Sequence, residues 1–284
     1  IILSMLVMLL NHSQKMSVFI VGSKENPKGG EMMDNYITHL HAKNIGVFEQ
    51  LDISFNKRFN FIVGPNGCGK TSILKCIALC LNPQSATSFR YRDNSAVWFE
   101  SIYGTDNYRI GLGEGWVSNI DIYREASHRI WNSPPQQTGL ISLNVNDLEK
   151  QNLNIAPLFL GAYRRIEYKK IDGMHREQPA GQQRKTYHSS GIKNIEGGSL
   201  PNVKQWMINR YFEIEKDWAL VYKQNWEWII SNLSNIGPSN CNLHFKHIQR
   251  DLEPMFTIHG IDCYLEEVSA GFQAVLSLVL AIVE

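Results

Sequence analysis

Residues 64–71 read Gly-Pro-Asn-Gly-Cys-Gly-Lys-Thr and fill every fixed position of the pattern G-x-x-x-x-G-K-[S/T]. The flanks agree with it. Phe59-Asn60-Phe61-Ile62-Val63 predicts a buried strand leading in, and Ser72 to Leu81 carries apolar residues at helical spacing leading out. A strand, a glycine-rich loop and a helix start together make an anion site. The loop turns successive backbone N–H groups inward, and the helix end adds partial positive charge. The phosphate cradle is therefore expected to be Gly64, Pro65, Asn66, Gly67, Cys68, Gly69, Lys70, Thr71 and Ser72. In such a loop Lys70 reaches the β- and γ-phosphates of ATP, and the Thr71 hydroxyl ligates Mg²⁺. The order strand, loop, helix predicts an α/β fold of the P-loop NTPase type.

Bulk composition narrows the partners. With 28 Lys and Arg against 27 Asp and Glu, the formal net charge is +1, which gives no global footprint for nucleic acid or membrane. Any such contact must be local. The five cysteines, Cys68, Cys76, Cys80, Cys241 and Cys263, form no C-x-x-C pair and no zinc spacing. Cys76 and Cys80 lie four apart on the expected helix and read as small buried residues, so a reducing, cytoplasmic setting fits.

The amino terminus is apolar from Ile1 to Leu10, too short to span a bilayer and without the flanks of a signal peptide. No membrane partner is expected. Because the chain opens on Ile, and Lys28-Gly29-Gly30-Glu31 precedes Met32-Met33, residues 1–32 are expected to be an upstream segment or tail. A membrane-anchoring tail cut short is the alternative. The expected division beyond that is 33–170 as the lobe with the phosphate loop, 171–200 as a polar loop, and 201–284 as a helical arm with a second motif.

Two antiparallel strands are expected from Tyr36 to Phe55, broken near Asn44-Ile45-Gly46, with further strands at Ala96 to Ser101 and Tyr108 to Leu112. Pro157 to Leu160 is another short apolar run. Val203, Trp206, Met207, Tyr211, Phe212, Ile214, Trp218 and Val221, followed by Trp226, Trp228, Ile229 and Leu233, predict one or two helices whose aromatic stripe packs inward. Met255 to Leu265 reads as a hairpin around His259-Gly260, and Phe272 to Val283 as an apolar helix.

The class of P-loop protein turns on Val268-Ser269-Ala270-Gly271-Phe272-Gln273, which resembles the signature L-S-x-G-x-Q of ABC-type ATPases, with Val268 in the Leu position. Leu40 to Phe48, containing Asn44-Ile45-Gly46-Val47-Phe48, resembles the opening strand of RecF, SMC and Rad50-like heads, where Gly46 replaces a basic residue. The N-G-x-G-K form of the loop is similar to that same branch. The resemblance implies an ABC-ATPase-like head with a mixed sheet lobe and a helical arm lobe. It further implies a homodimer with ATP sandwiched between heads, Lys70 of one copy acting with Ser269 and Gly271 of the other, and roles in DNA repair or anti-phage defence. DNA and a nuclease or effector protein are the partners it suggests. A nucleotide-gated scaffold that assembles such a partner with little hydrolysis is the alternative. A small-molecule kinase is a further rival that would leave Ser269 and Gly271 without a role.

The same resemblance leads one to expect an Asp-Glu strand and a switch His beyond Glu284, so the chain reads as truncated before them and inactive in hydrolysis alone. About 200 residues between the two motifs leave no room for a long coiled coil. Weaker signals are the basic run Tyr163 to Lys170 with Arg176, Arg184 and Lys185, read as a DNA contact or a solvated flank. Others are Arg90-Tyr91-Arg92-Asp93 as a source of an arginine, Gln151 near a lobe boundary, and His244 and His247 on a possible helix.

Overall fold

Apolar and polar residues alternate along Leu40-His41-Ala42-Lys43, and the pattern dictates a strand with one face in the core of the amino-terminal unit. The structure is a computed structural model. It describes residues 17–21, 35–57, 59–82, 91–117, 129–144, 147, 159, 161, 166–177, 191–196, 203–236 and 242–283. The chain divides into two compact units, Ile1–Leu153 and Asn154–Glu284.

In the first unit β1 (Ser17–Val21) pairs antiparallel with β4 (Phe59–Val63). A five-stranded sheet runs in the order β3-β2-β5-β6-β9, from β2 (Tyr36–Ile45), β3 (Phe48–Ser54), β5 (Tyr91–Tyr103), β6 (Asp106–Leu112) and β9 (Ile141–Leu143). The first three pairings are antiparallel and β6 with β9 is parallel, so the sheet is mixed. Register explains its core. Ile53, Leu40, Phe99, Ile110 and Leu143 stand opposite one another across all five strands, and Leu51, Ala42, Val97 and Leu112 form a second row. All are buried. Each large side chain so buried contributes about 1.5–3 kcal/mol. The other face carries Asp52 opposite His41, and His41 opposite Trp98. A ribbon of β7 (Gly115–Val117) and β8 (Arg129–Trp131) follows.

Helix α1 (Lys70–Leu81) packs on β5 and β6 and buries Ile73, Cys76, Ile77 and Cys80. Close approach is possible because residue 111 is glycine at φ +149°. A Cβ there would lie 2.3 Å from the Val97 carbonyl oxygen and 3.0 Å from Cys80 Sγ. The expected strands and helix of this unit are present. One expectation is corrected: β4 was read as a buried strand, yet Phe59 is 54% and Val63 38% exposed. Among the described residues β1 is its one hydrogen-bonded neighbour, so its other edge carries no strand there.

The second unit is built on α2 (Val203–Glu213), α3 (Leu220–Ile236), the antiparallel sheet β10-β11-β12, and α4 (Ala270–Val283). Its strands are β10 (His244–Ile248), β11 (Pro254–Ile258) and β12 (Ile261–Tyr264). The hairpin between β11 and β12 turns on His259 (φ 52°) and Gly260 (φ 80°). Both central residues are left-handed, as the two-residue turn that follows strand twist requires. Trp206, Met207, Trp226, Ile229, Leu233, Phe256, Phe272 and Leu276 fill one core. The aromatic stripe thus packs inward at Trp206 and Trp226, whereas Trp218 and Trp228 are exposed.

One further reading is corrected. His244 and His247 lie on strand β10, not a helix, and the pairing of that strand with β11 shifts register between Phe245 and His247. Within the stretch expected to be polar loop, residues 191–195 form a helical turn with Ile192 and Ile195 buried.

Candidate nucleotide site

The loop after β4 is bent at glycines whose backbone conformation other residues rarely adopt. Gly67 and Gly69 sit at φ 85° and 96°, in the left-handed region that L side chains rarely adopt. At Gly64 a Cβ would lie 2.7 Å from Cys68 Sγ, so the loop closes on itself there. Gly69 caps α1, and its carbonyl accepts the Ile73 N–H at 3.1 Å. No side chain caps the first turn of α1 and no acidic residue lies in it, so the positive end of the helix is left for an external anion.

Lys70 Nζ donates to the carbonyls of Gly64 at 2.8 Å and Pro65 at 2.7 Å, and lies 3.9 Å from Cys68 Sγ. The ammonium is thereby folded into the loop it is expected to serve. Thr71 is exposed on the first turn, beside the half-buried Ser72. Pro65, Asn66 and Gly67 are exposed as well. Glycines, a lysine and a hydroxyl at a helix start without a side-chain cap are the chemistry that suits an anion.

Residues outside the motif support this loop. The tip of the β2–β3 turn packs on Gly69: a Cβ there would lie 2.9 Å from the Phe48 ring and 3.0 Å from Val47 Cγ2. The Phe48 carbonyl accepts from Arg92 Nη2 at 2.6 Å. Arg92 therefore braces the strand turn behind the loop.

In the second unit the signature stretch spans the start of α4. Ser269, Ala270 and Gly271 are exposed, and a Cβ at Gly271 would meet nothing within 4 Å. Ser269 Oγ accepts the Phe272 N–H at 3.4 Å, and its carbonyl accepts the Gln273 N–H at 3.0 Å. Gln273 behaves differently, being 2% exposed. Its Nε2 donates to the carbonyls of Glu266 (2.9 Å) and Val268 (2.8 Å), and its Oε1 accepts the Ile166 N–H at 3.0 Å. The exposed tip is thus presented from a turn clamped at its base.

A family model described as an AAA domain matches residues 39–250. The chain belongs to that AAA domain family. It is also similar to the DNA double-strand break repair Rad50 ATPase of Methanopyrus kandleri, 30% identical over 98 residues, which is 31% of this chain and 11% of the relative. The DNA replication and repair protein RecF of Proteus mirabilis is 32% identical over 102 residues, 32% of this chain and 27% of that protein. The aligned parts thus cover a small share of either relative's length. The likeness to Rad50 and RecF heads expected from residues 40–48 and 64–74 stands on these matches.

Other expected residues of this AAA domain fall in several places. Gln151, Arg90, Tyr163 to Arg165, Arg184, Lys185 and Glu284 lie outside the described residues. Lys169, Lys170 and Arg176 are exposed. Tyr168, read as part of that basic run, covers Lys204, with Nζ 4.5 Å from the ring centre. Among the described residues no group of three His, Cys, Asp or Glu could hold a metal ion, and no helix is long and apolar enough to cross a membrane. Four cysteines, Cys68, Cys76, Cys80 and Cys263, are free.

Proposed function

We propose that this AAA domain binds ATP with Mg²⁺ at residues 64–72 and associates with a second copy across the nucleotide. Each copy offers its Ser269–Gly271 turn to the γ-phosphate held by the other. The observation that carries this reading is the exposed helix start at Ser269, Ala270 and Gly271, a second anion-seeking surface on a chain whose glycine loop is already one. Phosphoryl transfer at such a site is positioning and charge neutralisation. Lys70 would exchange the carbonyls of Gly64 and Pro65 for phosphate oxygens. Gly67 and Gly69 let the backbone approach the phosphates. The Thr71 hydroxyl would hold the magnesium ion, which neutralises phosphate charge when bound. Ser269 and the Gly271 backbone would add donors from the partner copy.

The names of the relatives, a repair ATPase and a replication and repair protein, support ATP hydrolysis in the service of DNA repair. Free cysteines in both units support a reducing, cytoplasmic setting. The test is association measured by light scattering with and without Mg-ATP. Lys70→Met is expected to weaken nucleotide binding by about ten- to a hundredfold, as loss of a charge-assisted contact does. Ser269→Arg is expected to leave binding intact and to block association. A dimer unchanged in the Ser269→Arg variant would overturn the reading.

A further inference from the structure

Lys204 is 1% exposed, a rare place for an ammonium group. It lies in the first turn of α2 and is paired with two carboxylates from different elements. Glu253, just before β11, is the closer partner, and Glu266 Oε1 is 3.4 Å away. The Tyr168 ring covers the charge at 4.5 Å. Glu266 belongs to the 3₁₀ turn Leu265–Glu267 that delivers the chain to Ser269. The same residue is held a second time, because its carbonyl accepts from Gln273. Glu267 adds a third tie, its carboxylate accepting the Tyr264 N–H at 2.8 Å.

The buried charges lie at the base of the turn and the exposed tip carries the donors. The geometry points to Lys204 and Glu266 as positioning residues for the Ser269–Gly271 tip: the ion pair fixes the direction in which α4 presents its first turn. This rests on the reading of that tip as a γ-phosphate cap. Glu253 shares the ammonium but belongs to the β10–β11 turn, so its pair anchors the sheet rather than the tip. The roles are therefore separable. A stabilising function alone would weigh the closer pair with Glu253 more heavily, whereas positioning weighs Glu266.

Lys204→Met is the less useful variant, since it strands two buried carboxylates. The isosteric Glu266→Gln and Glu253→Gln each leave the ammonium one carboxylate and keep the shape of the site. In the full chain we would measure Mg-ATP-driven association by light scattering, binding of a fluorescent ATP analogue, and unfolding temperature, with Ser269→Arg as control. Glu266→Gln is expected to weaken association at least about tenfold with nucleotide binding unchanged, because a displaced tip misplaces its donors. Glu253→Gln is expected to stay within a factor of about two, its contact being separate from the tip. Equal losses in the two variants, no loss in either, or losses that simply follow unfolding temperature would overturn the assignment. If Ser269→Arg still associates, the γ-phosphate-cap reading itself fails and the assignment falls with it. Failure of Glu266→Gln alone leaves that reading standing.

Discussion

The ring of Phe48 lies against Gly69 so closely that a single added carbon would sit 2.9 Å from it. The residue that begins β3 thereby sets the residue that caps α1. Gly69 is constrained twice, by its φ of 96° and by this contact, whereas Gly67 at 85° has open space around it.

Gly67→Ala is expected to lose about 1–2 kcal/mol from the left-handed backbone alone. Gly69→Ala should lose more, because the ring must also move. The excess should shrink in a Phe48→Ala background, which a double-mutant cycle of chemical denaturation would read as coupling of roughly 0.5–3 kcal/mol. Equal losses at the two glycines would argue against the packing of the β2–β3 turn on the loop.

Asp52 gives the sheet an acid limb. Partial burial raises its pKa, but hydrogen bonds from His41, Gln50 and His39, together with the charge of His41, outweigh this and leave it below the usual carboxylate value. His41 Nδ1 lies 2.7 Å and His39 Nε2 3.3 Å from the same oxygen. A depressed folded pKa adds stability above the unfolded value of about 3.9 and loses it as pH falls through the folded one. Thermal unfolding from pH 6 to pH 2 should show Asp52→Asn less stable than the parent above about pH 4, with the gap closing below. A gap that widened on acidification would contradict this sign.

The cysteines should divide by burial. Burial pushes the Cys76 thiol up to about 12 and the Cys80 thiol well above its ordinary value, the latter helped by Cys76. Cys68 is half-buried in the loop. Because the thiolate is the reactive form, iodoacetamide at pH 8 should modify Cys68 and leave Cys76 and Cys80 untouched in the folded protein. Mg-ATP should slow the reaction at Cys68. Mass spectrometry showing Cys76 modified as fast as Cys68 would mean that the inner face of α1 is not closed.

What could be read in the sequence was local. The P-loop, its helix, the β2–β3 pair and the His259-Gly260 hairpin follow from spacings of two, three or four residues and from glycine placement. Contacts across long separations left no trace of that kind. Phe48 reads as one more strand residue until Gly69 is seen beside it. Nothing in the sequence around Lys204 announces Glu253 and Glu266. The histidines of β10 stand three apart, an interval that a helix and a strand can both carry, so spacing alone did not decide between them. Ser269 and Gly271 were legible as a motif, but that Gln273 turns inward while they face water needed the fold.

That inward turn restricts how the motif can change over evolutionary time. Position 273 must give two N–H bonds to carbonyls and take one from Ile166, and glutamine alone among side chains of its length does both. Glutamate would set a carboxylate against two carbonyl oxygens, and lysine would have nothing to offer the Ile166 N–H. Ala270 is exposed and has no such duty, so it is the member of the signature stretch most free to drift.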